Sequence, residues 1–228
     1  MQIFIYYKKQ KMIKTSLLFL LVFTFLSQGV KAQSKIDSAQ LNKEFFNLEE
    51  ALKKPENVFR LNLSNQNLQI SDSIWSKFQN LQYLSLRNDH LKQIPSGIGN
   101  LKSLKFLDLS GNDFKTLPST FSNLINLQEL YLNDDKYFQL QKNISVLSEL
   151  PNLRSLHLEN DGLKTLPKNI YKLNQIESLF LNNNQFKQMP PEIKGLKNLK
   201  YLDFHDNDVL RPANQEVFHQ KSGLKIRF

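Results

Sequence analysis

A single spacing rule governs most of this chain. From Val58 onward, apolar residues hold the first, fourth and sixth places of a unit that returns every 23 residues. The first places are Val58, Leu81, Leu104, Leu127, Leu153, Ile176 and Leu199, separated by 23, 23, 23, 26, 23 and 23 residues. The fourth are Leu61, Leu84, Leu107, Leu130, Leu156, Leu179 and Leu202, and the sixth Leu63, Leu86, Leu109, Leu132, Leu158, Leu181 and Phe204. All twenty-one places are apolar although only 40% of the chain is hydrophobic, so composition alone does not make the pattern. A unit this short cannot bury an apolar side by itself; it needs the copies before and after it, and the chain must stack.

The second half of each unit is equally regular. Ile94-Pro95, Leu117-Pro118, Leu166-Pro167 and Met189-Pro190 introduce Ile98, Phe121, Ile170 and Ile193, then Leu101, Leu124, Leu173 and Leu196. Proline fixes φ and withholds an amide donor, so it ends an extended stretch and can open a helical one. Each unit therefore reads as a strand, a turn and a short helical or 3₁₀ return, with the strands in a parallel sheet spaced at about 4.8 Å.

Departures mark the places where the stack is perturbed. The first unit lacks the proline and carries Trp75 and Phe78 where later units use Ile and Leu, bulk suited to filling space under a cap. The fourth has Gln141 in place of proline and three added residues before Leu153. Leu147, Leu150 and Leu153 keep a three-residue rhythm, which predicts one more helical turn; a convex bump that meets a partner is the functional alternative. Upstream, Leu41, Phe45, Leu48 and Leu52 over Ile36–Lys54 have helical spacing, ended by Pro55, and predict an amphipathic cap helix, or a mobile partner-binding one. Downstream, 214–222 reads as a short polar helix, and Ile226 and Phe228 as the inward residues of a closing strand.

Residues 1–32 have the three parts of a secretory signal: a lysine-rich start, the apolar run Leu17–Leu26 and a small-residue end, with cleavage expected after Ala32. The run is about half of the roughly 20 residues a spanning helix needs, which sets a retained membrane anchor aside as the lesser reading. Met12 offers an alternative start. Export combined with zero cysteines means that the ends are sealed by packing, a combination more bacterial than animal. The expected organisation is a signal at 1–32, an N-terminal helical cap at 33–57, repeats at 58–210 and a C-terminal cap at 211–228.

Leu104, Leu107, Leu109, Asn112 and Phe114 fit L-x-x-L-x-L-x-x-N-x-L, and residues 58–210 resemble typical 23-residue leucine-rich repeats of the L-P-x-x-I-x-x-L subtype. The resemblance is greater to short secreted bacterial members than to toll-like receptor ectodomains or plant receptors. It implies an α/β fold: a right-handed leucine-rich repeat solenoid, a horseshoe with a parallel concave β-sheet of seven repeats between a helical cap and a closing strand. It also implies the binding of proteins, and less often of glycans or lipids. In such repeats the ninth-place Asn bonds the turn leaving the sheet; here that place reads Gln66, Asp89, Asn112, Asp135, Asp161, Asn184 and Asn207. An ionised carboxylate accepts but cannot donate. Asp135 and Asp161 adjoin, and two charges about 5 Å apart cost about 3 kcal/mol, so one must be protonated, solvent-facing or paired with a cation such as Lys136. A Ca²⁺ site of Asp134, Asp135, Asp161 and Glu159 is the sharper alternative, but the spacing matches no dedicated loop, and neither a metal nor a cofactor is expected.

No catalytic constellation is visible: cysteine is absent, and the phosphate-loop and H-E-x-x-H patterns are missing. Candidate function lies at the variable strand places, which face the concave side. There Tyr83, Phe106, Tyr131, His157, Phe180 and Tyr201 predict a diagonal aromatic track. Asp108, Glu129, Glu159 and Asp203 make its middle and far end acidic, Arg60 and Arg87 its near end basic, and His205 lies two repeats from His157. Mutual stabilisation of neighbouring rings is the alternative to a binding role. The formal charge of +9 includes five lysines of 1–32; without them 25 basic residues face 21 acidic ones, so no nucleic-acid partner is expected. The reading is a monomeric, non-enzymatic module, secreted, periplasmic or on the cell surface and not inserted in a membrane after cleavage. It binds a protein or peptide on the concave face, with a cell-surface glycan as the alternative.

Overall fold

The computed structural model describes residues 38–67, 70–209 and 223–228; the expected signal segment and the polar helix over 214–222 lie outside them. Residues Ala39–Phe228 form one compact unit. Its frame is one sheet of nine parallel strands in chain order: β1 Glu44–Phe45, β2 Arg60–Asn62, β3 Tyr83–Ser85, β4 Phe106–Asp108, β5 Glu129–Tyr131, β6 Ser155–His157, β7 Ser178–Phe180, β8 Tyr201–Asp203 and β9 Lys225–Arg227.

Equivalent places pair across the sheet, so Leu61, Leu84, Leu107, Leu130, Leu156, Leu179 and Leu202 make one continuous row, each fully buried. Five of the returns are 3₁₀ segments, at Asp72–Lys77, Ser96–Asn100, Ser119–Asn123, Lys168–Lys172 and Pro191–Gly195. Pro95, Pro118, Pro167 and Pro190 each stand directly before one of the last four. The longer fourth unit makes a nine-residue α-helix instead, Leu140–Ser148, which accommodates the inserted turn. Buried Asn143 ties it to the preceding unit: its Oδ1 accepts the Leu117 N–H at 2.7 Å, and its Nδ2 donates to the Lys115 carbonyl at 3.1 Å.

The cap corrects the expectation of one helix over Ile36–Lys54. Two short helices, α1 Ser38–Asn42 and α2 Leu48–Ala51, flank β1, which pairs Glu44 with Arg60 and Phe45 with Leu61. An uncovered β2 would present a row of unpaired backbone groups, and two residues of strand satisfy it where a helix could not. Asn47 caps α2 by accepting the Glu50 N–H at 3.0 Å. Phe45, Leu48 and Leu52 still pack on the core, and Ala51 joins it. At the other end β9 places Ile226 beside Leu202. Phe228 is 45% exposed and touches Phe204 edge-on at 6.5 Å, so the closing strand brings in Ile226 more fully than Phe228.

Each of β2 to β8 leaves the sheet through a left-handed residue at the eighth place: Asn65, Asn88, Gly111, Asp134, Asn160, Asn183 and Asp206, with φ between 51° and 72°. Only Gly, Asn and Asp visit that region readily, so the turn is written into every repeat.

Candidate functional site: the open face of the sheet

The pairing that aligns the leucines also aligns the residues between them. The third-place row runs Arg60, Tyr83, Phe106, Glu129, Ser155, Ser178, Tyr201, and the fifth-place row Asn62, Ser85, Asp108, Tyr131, His157, Phe180, Asp203. The expected aromatic track exists and is continuous. Tyr83 stacks on Phe106 with centroids 4.6 Å apart, Phe106 tilts onto Tyr131 at 5.0 Å, and the track thereby crosses from third place to fifth. Tyr131, His157 and Phe180 stack at 3.7 and 4.0 Å, and Phe180 tilts onto Tyr201 at 5.5 Å, crossing back. Arg60 covers the outer face of the stack at Tyr83, 4.0 Å from the ring centroid.

These rings spend their faces on one another. Five are half-buried and His157 is buried, so the track is a braced wall presenting edges and hydroxyls, not a row of open platforms. Each contact is worth about 0.5–1.5 kcal/mol beyond area burial. Mutual stabilisation is therefore real, and its by-product is a face whose side chains are held in place.

The charged candidates separate into groups. Arg60 pairs with Glu44 of the cap at 3.7 Å. Arg87 reaches Asp134, two strands away, at 3.7 Å. At the centre, His157 Nε2 faces Glu129 Oε1 at 3.1 Å and Nδ1 faces Glu159 Oε1 at 3.2 Å. The Tyr131 hydroxyl donates to the same Glu129 oxygen at 2.7 Å. Burial, then that bond to Glu129, then the charges of Glu129, Glu159 and Asp108 hold the Tyr131 hydroxyl well above the usual phenol range. At the far end, Asp203 accepts from the Tyr201 hydroxyl at 3.2 Å, from Arg227 at 3.4 Å and from His205. His157 and His205 thus belong to different clusters. Glu44 and Arg227 carry no signal in the sequence, and Asp134, a candidate there only as a Ca²⁺ ligand, is instead the ion-pair partner of Arg87.

Below the face runs the ninth-place ladder. Asn112 Oδ1 accepts from the Asp89 and Leu91 N–H groups, and its Nδ2 donates to the Leu86 and Leu109 carbonyls at 2.9 and 2.6 Å. Asn184 and Asn207 repeat both functions. Asp135 and Asp161 perform only half of this. Asp135 Oδ1 accepts the Asn112 N–H at 2.7 Å and Asp161 Oδ1 the Asp135 N–H at 2.8 Å, but each Oδ2 is buried without a partner. Burial foremost, with neighbouring carboxylates adding to it, pushes both carboxyls up to about 8. Of the three expected solutions the ladder uses protonation, and Lys136 remains exposed. Among the described residues no group of three His, Cys, Asp or Glu side chains is placed to hold a metal ion, and no helix is long and apolar enough to cross a membrane.

Residues 57–151 match the family described as Leucine-rich repeat region. No curated protein matches the chain. Among solved structures it is similar to TLR13 in a TLR13–ssRNA13 complex, at 31% identity and a TM-score of 0.59 over 72% of this chain and 23% of that one. It is similar to Toll in the Toll–Spatzle complex of Drosophila, at 18% identity and 0.62 over 72% and 22%, and to an internalin (inlF) from Listeria monocytogenes, at 23% and 0.54 over 75% and 47%. The chain spans less than half of each of these structures.

Proposed function

We propose that this chain, a leucine-rich repeat protein in its match over 57–151 and a leucine-rich repeat solenoid in its fold, is a non-catalytic module that binds a protein or peptide on the concave sheet. The observation that carries the reading is the braced track from Arg60 to Tyr201. Tyr and Arg favour interface hot spots, and side chains already immobilised by stacking lose little freedom on binding. Partners named in the comparisons, Spatzle for Toll and ssRNA13 for TLR13, frame the choice between protein and nucleic acid. Three carboxylates near the Tyr131 hydroxyl, Glu129, Glu159 and Asp108, with two of them on the one imidazole, disfavour a polyphosphate. The pattern of residues 1–32 supports action outside the cytoplasm.

The test is a pull-down with the purified chain against a Tyr83→Ala, Phe106→Ala, Tyr131→Ala variant of matched thermal stability. The expected result is a protein partner that the variant loses; a partner retained by the variant places the site elsewhere. Glycan-array hits abolished by Phe106→Ala and Tyr131→Ala are the outcome that would favour the carbohydrate reading, although rings stacked face to face leave little open surface for a sugar.

A further inference from the structure

The concave face contains a trough that the aromatic track outlines. In the third-place row, Glu129, Ser155, Ser178 and Tyr201 pair in succession across β5 to β8. Two serines between a carboxylate and a tyrosine leave a depression two strands wide. Its flank is the stacked wall Tyr131, His157, Phe180. From Glu129 to Tyr201 is three strand spacings, about 14 Å, the reach of about four extended residues. The hydroxyls of Ser155 and Ser178 make no side-chain hydrogen bond within the described residues, so the floor has polar groups to offer a peptide backbone.

The two ends of the trough differ in charge still to be neutralised. At the Tyr201 end, the Asp203 carboxylate is engaged by Tyr201, His205 and Arg227. At the Glu129 end, two carboxylates face one imidazole, and a third, Asp108, acts with them on the Tyr131 hydroxyl. Glu129 and Glu159 each give one oxygen, Oε1, to His157, and Asp108 gives Oδ1 to the Ser110 N–H. Glu159 Oε2 is buried with no partner at all. This acidic spot belongs to a chain that is otherwise net positive, with 25 basic against 21 acidic residues beyond 1–32. A cation attracted here is attracted locally and against the charge of the whole.

We propose that the trough takes an extended peptide segment that sets an Arg or Lys side chain at the Glu129 end and small polar residues along Ser155 and Ser178. The proposal rests on the concave reading above and narrows its partner to a basic protein segment. The bracing of the wall sharpens the choice: with ring faces occupied, a cation is held by the carboxylates, and the rings supply shape.

Labelled peptides of one length, built from Arg-Ser, Gln-Ser or Glu-Ser repeats, are titrated by anisotropy against the purified chain at low and physiological salt. The Arg-Ser peptide should bind best, weaken with salt and lose about tenfold or more in affinity with Glu129→Gln, with Asp108→Asn and with Ser155→Leu, which fills the trough. Asp108→Asn and Ser155→Leu leave the His157 contacts untouched, so a folding defect in Glu129→Gln does not blunt the test. Equal binding of the Glu-Ser peptide, or Arg-Ser binding indifferent to all three substitutions, overturns the proposal. If the pulled-down partner is lost with the ring-to-alanine variant yet indifferent to Glu129→Gln, Asp108→Asn and Ser155→Leu, the concave reading stands and this one falls. A partner kept by every variant removes both.

Discussion

An asparagine that closes a turn donates as well as accepts, and the ladder shows what one atom of difference does. Asn112 spends Nδ2 on two carbonyls; the corresponding oxygens of Asp135 and Asp161 are buried and unpartnered, and only a proton turns them into donors. In the unfolded chain each carboxyl titrates near its ordinary 3.8, in the fold near 8. Between those values the native state holds a proton that the unfolded state has released. The contribution to stability is therefore fully present below about pH 4 and lost as pH rises through about 8, at up to about 1.4 kcal/mol per pH unit per group. Asp135→Asn with Asp161→Asn supplies the missing donors, and we expect a gain of about 1–3 kcal/mol per site near neutral pH. Urea midpoints taken at about pH 6 and about pH 9 should fall with pH in the wild type and stay closer to level in the double variant. Equal slopes would sink this account. The conflict was legible in the sequence, because ninth-place residues align by counting; its outcome was not, because burial of Oδ2 depends on how the turns stack.

Among the elements, the strands and the 3₁₀ returns followed from the period alone, since a fixed spacing of apolar residues leaves one way to stack them. The cap did not. Leu41, Phe45, Leu48 and Leu52 have helical spacing, but the open edge of β2 asks for a strand, and a tertiary demand of that kind is invisible in a window of local sequence. The fourth unit shows the same limit. Its insertion was readable as helix, whereas the role of Asn143 was not, because two of its three partners, Leu117 and Lys115, lie in the neighbouring repeat. Asn143→Ala should leave the buried Leu117 amide unpaired, while the Lys115 carbonyl keeps the Gln139 N–H, and cost about 1–3 kcal/mol, measurable as a lower urea midpoint with an unchanged slope. No loss would show that water or a shifted helix replaces the amide. The candidate site divides likewise: the order of its rings comes from the register, while their stacking, the Arg87–Asp134 pair and the trough at Ser155 depend on side-chain directions that counting does not supply.

At the scale of the whole molecule, a stack of repeats touches mainly its nearest neighbours, so stability is closer to a sum along the array than to one all-or-none quantity. The two ends are sealed unequally. Near the start, Ala51, Trp75 and Phe78 are essentially excluded from solvent, whereas β9 contributes a half-buried Ile226 between exposed Lys225 and Arg227. Losses should begin at the C-terminal side, and the chain carries its own detector of that asymmetry. Trp75 is the only tryptophan and sits wholly in the first repeat. Its fluorescence is blind to the distant strands, while far-UV circular dichroism samples all of them. In a urea titration the dichroism signal should start to decay before the emission reddens, and removal of residues 225–228 should move the first curve and spare the second. Superimposable curves before and after that removal would mean that the array melts as one body. Light emitted at one end thus becomes a ruler for how far along the stack disorder has travelled.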